Sequence, residues 1–149
     1  MAFEPVKIEL SSRYEDICLG TEAVEGFAVR LGFPEEEAQM LAVATAELLN
    51  NVVEHAYREE PGHRIAITLH VQDDRMVLRV KDDGRPVPHG LLDGVSLPEV
   101  DPDDVSSLAE GGMGLFIATS VFECLSWVAC ASGGNELNAS VPLPVAACP

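Results

Sequence analysis

Two runs of alternating apolar residues, separated by a pair of aspartates, constrain the fold of this chain more than any other feature. Every second residue is apolar over residues 65–71 and again over 76–80, which is the period of a strand that buries one face. Asp73 and Asp74 lie between the two runs and are typical of a tight turn. The segment is therefore predicted to be an antiparallel β-hairpin with one face against a core.

The carboxylate of Asp82 is predicted to point inward at the end of this hairpin. The alternation directs Asp82 toward the buried face and Asp83 toward solvent, and Gly84 follows. A buried carboxylate costs free energy unless a donor hydrogen-bonds to it. The amine edge of a buried ligand would be such a donor. Capping of local backbone amides in an Asp-Asp-Gly turn is the structural alternative.

The remaining periodicities predict an α+β fold. Alternation predicts further strands over residues 6–10, 125–129 and 137–143, and helical spacing predicts helices over 14–31, from 34 to about 57, and over 115–122. The 149 residues, 47% of them apolar, suit one domain with one core, with a loose tail over 144–149. The expected architecture over residues 1–149 is a two-layer sandwich, in which helices cover one face of a mixed but largely antiparallel sheet.

The second predicted helix carries a polar stripe. Glu47, Asn51 and His55 follow one another at i, i+4 spacing, so their side chains lie along one border of the helix's apolar face. A carboxylate, a carboxamide and an imidazole in a row could hold a metal and deprotonate a nucleophile. A solvated polar face is the structural alternative, and the spacing alone does not exclude it.

Residues 85–111 form a long segment whose apolar residues follow neither the strand period nor the helix period. This segment separates the hairpin from the third helix. It is rich in proline and glycine, and loops of this length inside a domain are often lids. It leads into Gly112, Met113 and Gly114 at the start of the helix. Glycines there permit close backbone approach, and free amides at a helix start attract an anion such as phosphate. A flexible joint is the structural alternative.

The net charge of -16 argues against a nucleic-acid or anionic-membrane surface, because the chain has no basic patch to displace counterions. The apolar runs are too short to cross a bilayer, and the amino terminus lacks a signal pattern. The four cysteines have no metal-ligand spacing and are expected to be free, mostly buried thiols in a reducing cytoplasm (Cys18, Cys124, Cys130, Cys148).

Taken in order, the motifs resemble those of the GHKL ATPase superfamily and, more narrowly, of the bacterial anti-sigma-factor serine/threonine kinases. Residues 47–57 (ELLNNVVEHAY) are similar to that family's N-box, and residues 82–86 (DDGRP) to its G1 box. Residues 112–115 (GMGL) resemble its G2 box, and residues 133–137 (GGNEL) the turn of its final hairpin. The resemblance covers nearly the whole chain, and the ordered set is more specific than any single motif.

The resemblance implies a Bergerat-type ATP site with an ATP lid and assigns roles to particular residues. Asn51 would ligate Mg²⁺, Asp82 would accept a hydrogen bond from the adenine amino group, and Gly84 would let the base approach. Glu47 would be the general base for a serine or threonine hydroxyl of a protein substrate. The start of the third helix would bind the phosphates (Gly112, Met113, Gly114, Leu115). The resemblance treats His55 as support for the helix rather than as a catalytic group.

The resemblance also implies partners. The substrate would be a small STAS-type anti-sigma-factor antagonist, a sigma factor is a possible second partner, and the protein would be a cytoplasmic homodimer. A second hypothesis is a partner-sequestering module without effective kinase activity. It depends on the lid, which carries no Lys or Arg between Pro86 and Gly111, and which reads Val87-Pro88-His89 where the family often has Phe-Asp-Pro. A histidine kinase catalytic domain fits less well, since no upstream helices with a phospho-acceptor histidine precede the motifs.

Overall fold

The strands and helices follow one another in the predicted order. This computed structural model describes residues 3–88 and 113–144, and the account below concerns these residues. The elements are β1 (Val6–Ser11), a 3₁₀ turn (Tyr14–Asp16), α1 (Ile17–Arg30), α2 (Glu35–Asn51) with a π-helical turn after it (Val52–Ala56), β2 (Arg64–Gln72), β3 (Arg75–Asp82), α3 (Met113–Val121), β4 (Cys124–Ala129) and β5 (Asn135–Pro142). Helix α2 starts directly after Pro34, because the fixed φ of proline suits a helix start. Three glutamates in the first turn also stabilise the helix, since their negative charges interact favourably with the positive end of the helix dipole.

The five strands form one sheet in the order β1-β2-β3-β5-β4, and all four pairings are antiparallel. The predicted α+β class and largely antiparallel sheet are therefore confirmed, and no parallel pairing occurs among these five strands. The reason is the position of the last hairpin. Strand β4 runs in the same direction as β3, but β5 lies between them and pairs antiparallel with both.

The β2–β3 hairpin has the predicted turn and register. Asp73 and Asp74 have φ angles of 54° and 59°, and two such residues in succession give the turn whose twist matches the flanking strands. Leu69 lies opposite Leu78, and Ile65 lies opposite Asp82. The inward row of the hairpin therefore ends at Asp82, as the alternation predicted.

The core lies between this inward face of the sheet and the three helices. Its largest fully buried side chains come from every layer: α1, the inner border of α2, the inward rows of β2, β3 and β5, and the residue that follows α3 (Phe27, Leu48, Leu49, Ile67, Leu69, Leu78, Leu137, Phe122). Because α2 packs against both α1 and α3, it is the central helix of the layer. Its carboxyl-terminal end is thereby fixed above the end of β3 that carries Asp82.

The prediction of mostly buried cysteines is wrong for the described thiols, although they are free as expected. Cys18 and Cys124 are exposed and Cys130 is partly exposed. Cys18 directly follows the buried Ile17 on α1 and therefore lies on the outer side of the helix. Cys124 starts β4, an edge strand of the sheet. In the described part of the chain, no helix is both long and apolar enough to cross a membrane.

Candidate nucleotide and active site

The carboxylate of Asp82 is buried and only half satisfied. The residue is 5% exposed. Its Oδ1 accepts hydrogen bonds from the amide of Gly84 at 2.9 Å and from Nδ2 of Asn135 at 2.9 Å. Its Oδ2 is buried and has no hydrogen-bond partner among residues 3–88 and 113–144. Oδ1 thus caps a local backbone amide, as the structural alternative for the Asp-Asp-Gly turn expected. Oδ2 could still accept a hydrogen bond, as the buried-ligand alternative requires.

Burial raises the pKa of Asp82 above its ordinary value, and the hydrogen bonds from Asn135 and Gly84 counteract part of that rise. Desolvation is the largest of these influences because the charged form loses its water without gaining a full set of donors. A donor delivered to Oδ2 by a ligand would therefore favour the ionised carboxylate.

Asn135 holds the segment after β3 against the last hairpin. It is fully buried, and its Nδ2 donates to Asp82 Oδ1 and to the carbonyl oxygen of Arg85 at 2.7 Å. Its Oδ1 accepts from the amide of Val87 at 2.8 Å. The sequence reasoning did not assign Asn135 to the site. The alternation in this strand could have indicated it, because Asn135 points to the same inward face as Leu137. A buried carboxamide, like a buried carboxylate, needs hydrogen-bond partners.

Gly84 lies against the end of the helix that carries the polar stripe. A Cβ atom at Gly84 would lie 2.7 Å from the carbonyl carbon of Ala56 and 2.8 Å from its Cβ, which is closer than real side chains approach. The amide of the next residue, Arg85, donates to the Ala56 carbonyl oxygen at 2.8 Å. Glycine is therefore required here for the turn after β3 to pack on the helix, and the predicted approach of a base remains a prediction.

Tyr57 is a second buried polar residue that the sequence reasoning left out. Its hydroxyl donates to the carbonyl oxygen of Arg64 at 2.5 Å and accepts from the amide of Asp83 at 2.7 Å. Burial is the main reason that the pKa of Tyr57 is raised. The side chain ties the end of the helical segment to the first residue of β2 and to the residue that follows β3.

Glu47 and Asn51 lie one turn apart on α2, and both are partly exposed. Nδ2 of Asn51 donates to the main-chain carbonyl oxygen of Glu47 at 2.7 Å. That bond engages the nitrogen of the carboxamide, and Oδ1 is the atom of this side chain that could ligate a metal. The regular i, i+4 series ends here, because the π-helical turn has more residues per turn than an α-helix. His55 lies in that turn and is exposed.

The start of α3 lies next to the carboxylate of Glu47. A Cβ atom at Gly114 would collide with Glu47 Oε2 and would lie 3.3 Å from its Cδ. Gly114 is the second residue of α3, where backbone amides have no partner within the helix. Met113 begins α3 and Leu115 lies in its first turn, partly exposed. Gly112 and residues 89–111 of the predicted lid lie outside the described residues.

The described residues contain no group of three or more His, Cys, Asp and Glu side chains that could hold a metal ion. Magnesium in phosphoryl-transfer sites is usually held by one or two protein oxygens together with phosphates and water. A single carboxamide oxygen on Asn51 fits that kind of site, and it does not fit a cage built wholly from protein ligands.

The chain is similar in sequence to proteins named serine-protein kinase RsbW. Relatives include the serine-protein kinase RsbW of Listeria innocua, 27% identical over 120 residues that make up 80% of this chain and 76% of the relative. They also include RsbW of Bacillus cereus, 28% identical over 125 residues, or 81% of this chain and 75% of the relative. RsbW of Listeria monocytogenes is 29% identical over 124 residues, with 80% and 76% covered.

Two solved structures share the fold. The structure of the RsbU and RsbW domains of Rv1364c from Mycobacterium tuberculosis aligns with a TM-score of 0.60 and 17% identity, covering 95% of this chain and 33% of that one. The mycobacterial sensor histidine kinase MprB aligns with a TM-score of 0.52 and 18% identity, covering 93% and 96%. The sequence profile described as Histidine kinase-like ATPase domain matches residues 10–141. The predicted GHKL resemblance is thus confirmed, and the chain belongs to the histidine kinase-like ATPase domain family.

Proposed function

We propose that this protein is an ATP-dependent protein serine/threonine kinase of the anti-sigma regulatory type. Two observations, one at Asp82 and one at Glu47, carry the proposal. Asp82 Oδ2 is a buried acceptor to which no described residue donates, and the carboxylate of Glu47 lies beside the first turn of α3. The first feature suits an adenine amino group, and the second suits a hydroxyl that approaches bound phosphates.

The nucleotide would be held by groups whose chemistry matches its parts. Asp82 Oδ2 would accept from the exocyclic amine of adenine, while Asn135 keeps Oδ1 occupied and so fixes the orientation of the carboxylate. The amides at the start of α3, beginning at Met113 and Gly114, have no partner within the helix and would donate to phosphate oxygens. Asn51 Oδ1 would ligate Mg²⁺. The ion would supply neutralisation of the phosphate charge, which is the main catalytic requirement of phosphoryl transfer.

Glu47 would act as the general base. Its carboxylate would accept the proton of a serine or threonine hydroxyl as the hydroxyl oxygen bonds to the γ-phosphorus and the bond to ADP breaks. A glycine at position 114 lets the backbone at the start of α3 approach Oε2 without a side chain colliding with it. The names of the RsbW relatives, which are serine-protein kinases, support this reaction class.

The partners follow from the same family. We propose that the substrate is a small STAS-type anti-sigma-factor antagonist, that the chain also binds a sigma factor, and that it works as a homodimer in the cytoplasm. Residues 1–149 would form one such domain, with the segment 85–111 as the lid over the nucleotide.

A second candidate function is a partner-sequestering module without effective phosphotransfer. The observation in its favour is the composition of the lid segment after Pro86, where the charged residues are all acidic (Asp93, Glu99, Asp101, Asp103, Asp104, Glu110). Carboxylates close to a triphosphate would oppose its binding unless they remain solvated. This alternative and the kinase differ in whether bound ATP is turned over.

Titration of the purified protein with ATP tests the nucleotide site directly. Binding is expected with Mg²⁺ and not with EDTA, and Asp82→Asn is expected to abolish it because an amide nitrogen would then face the adenine amine. The matched control is Asp83→Asn, which changes the exposed neighbour and should bind as the wild type does. Undiminished affinity in Asp82→Asn would reject the proposed pocket. Transfer of the γ-phosphate to a STAS-domain protein then separates the kinase from the sequestering module.

A further inference from the structure

A mostly apolar groove of about 470 Å³ lies beside the first half of α2, away from the nucleotide site. Its apolar walls come from three elements and a loop: Met40 and Leu41 of α2, Val121 at the end of α3, Val141 of β5, and Phe33 before α2. Leu41 and Phe33 also belong to the core. The groove is therefore built on rigid parts of the fold.

The groove and the proposed base lie at opposite ends of one seam between α2 and α3. Gly114 contacts Glu47 at one end, and Met40 and Val121 line the groove together at the other. The two helices thus run antiparallel along the seam. Seven residues separate Met40 from Glu47, and at about 1.5 Å per residue the distance along the helix is about 10 Å.

An exposed apolar strip connects the two ends. Met40 is 49% exposed and Val43 is 46% exposed, and Val43 lies one turn closer to Glu47. Met40 and Glu47 are two turns apart, so they lie along almost the same line of the helix. Two large apolar side chains left in solvent beside an apolar groove form a surface typical of a protein contact.

The charge around the groove indicates what kind of segment would fill it. Glu36 and Glu37 also line the groove, and the chain as a whole has a net charge of -16. Acidic side chains around an apolar groove attract lysine and arginine and repel acidic segments. The complementary occupant is an apolar segment flanked by basic residues.

We propose that this groove is the docking site for an apolar, basically flanked segment of the protein substrate. A segment seated at Met40 and Val43 would bring a hydroxyl about 10 Å further along the seam to Glu47. The identity of the occupant as the substrate rests on the proposed kinase function. The existence of the docking surface rests on the groove, the strip and the charge.

The test uses a fluorescein-labelled amphipathic helical peptide of leucine and lysine, with anisotropy measured at physiological salt. The double substitution Met40→Gln with Val43→Thr removes apolar surface without changing charge, and it is expected to weaken peptide binding by at least about tenfold. The matched control is Leu19→Gln with Val29→Thr on α1, where the side chains are 52% and 51% exposed. It should bind the peptide as the wild type does. Equal affinity in the groove variant, or an equal loss in the control, would overturn the proposal.

Further measurements separate the rival occupants and the two proposals. A change of sedimentation coefficient in the groove variant would identify a second copy of the chain as the occupant. Tighter peptide binding after deletion of residues 145–149 would identify the chain's own tail. Either result would overturn the proposal. Peptide binding in the groove without any binding of Mg-ATP would support the docking site and reject the kinase. Mg-ATP binding together with unaltered peptide affinity in the groove variant would support the nucleotide site and reject the docking site.

Discussion

Nδ2 of Asn135 donates a hydrogen bond of 2.9 Å to Oδ1 of Asp82, and both side chains are buried. The same asparagine binds the main chain of Arg85 and Val87. One side chain of the last hairpin therefore fixes both the orientation of the carboxylate and the path of the chain that leaves β3. The other carboxylate oxygen is buried and accepts no hydrogen bond from the described residues.

Asn135→Ala is expected to lower the free energy of unfolding by about 2–3 kcal/mol, because it leaves the part-buried carbonyl of Arg85 and the buried amide of Val87 without their partner. ATP affinity should fall as well, since Asp82 loses the donor that orients it. Asn138→Ala is the control, because Asn138 is on the same strand and its Oδ1 accepts from Arg79 in an exposed pair. Chemical denaturation of both variants measures the difference. Similar losses in the two variants would show that Asn135 is not the link between the hairpins.

The pKa of Asp82 predicts how stability depends on pH. Burial raises the folded-state pKa above the ordinary value of 3.8, so the folded state binds the proton more tightly than the unfolded state. The stability that the protein gains from this tighter proton binding is fully present below pH 3.8. It is lost as the pH rises through the folded-state pKa of Asp82. Without nucleotide, Asp82→Asn should therefore be more stable than the wild type at pH 7, and its advantage should shrink toward zero as the pH falls to 3.8.

The control for this pH dependence is Asp83→Asn, which alters an exposed carboxylate next in the chain. Unfolding curves between pH 3.5 and pH 7 give the comparison. A constant stability difference between Asp82→Asn and the wild type across the range would contradict the assignment of the raised pKa to the folded state.

Glu47→Gln should separate binding from chemistry. The substitution keeps the shape of the side chain and removes the base, so Mg-ATP affinity should be unchanged while phosphotransfer falls by about 10²–10⁴-fold. Glu54→Gln is a matched control, because Glu54 is exposed in the turn that follows α2. Single-turnover transfer from labelled ATP measures the rate. Transfer at the wild-type rate in Glu47→Gln would remove Glu47 from the chemistry.

Gly114→Ala places a methyl group against the carboxylate of Glu47. We expect phosphotransfer to fall by about 10–100-fold, because small displacements of a catalytic group have effects of that order. Gly26→Ala is the control: a Cβ atom there meets nothing within 4 Å, and replacing a helical glycine should stabilise the protein by about 0.5–1 kcal/mol. The transfer rate should therefore fall only in Gly114→Ala, and the temperature of thermal unfolding should rise in Gly26→Ala. Equal transfer rates in the two variants would argue against the Glu47–Gly114 contact.

Local patterns in the sequence were enough to predict most elements and two features of the site. Apolar alternation depends on neighbouring residues alone, so it located the β2–β3 hairpin and directed Asp82 inward. Helical spacing placed Glu47 and Asn51 one turn apart. The same spacing failed beyond Asn51, because a π-helical turn follows and changes the phase.

What the sequence by itself determined is the order of strands and helices, the inward direction of Asp82 and the family to which its motifs belong. The tertiary structure decided which distant segments meet: Asn135 with Asp82, Gly114 with Glu47, and β5 rather than β4 with β3. These contacts join residues more than 50 positions apart. They depend on how the sheet and the helices pack around one core, and a period of two or 3.6 residues carries no information about such packing.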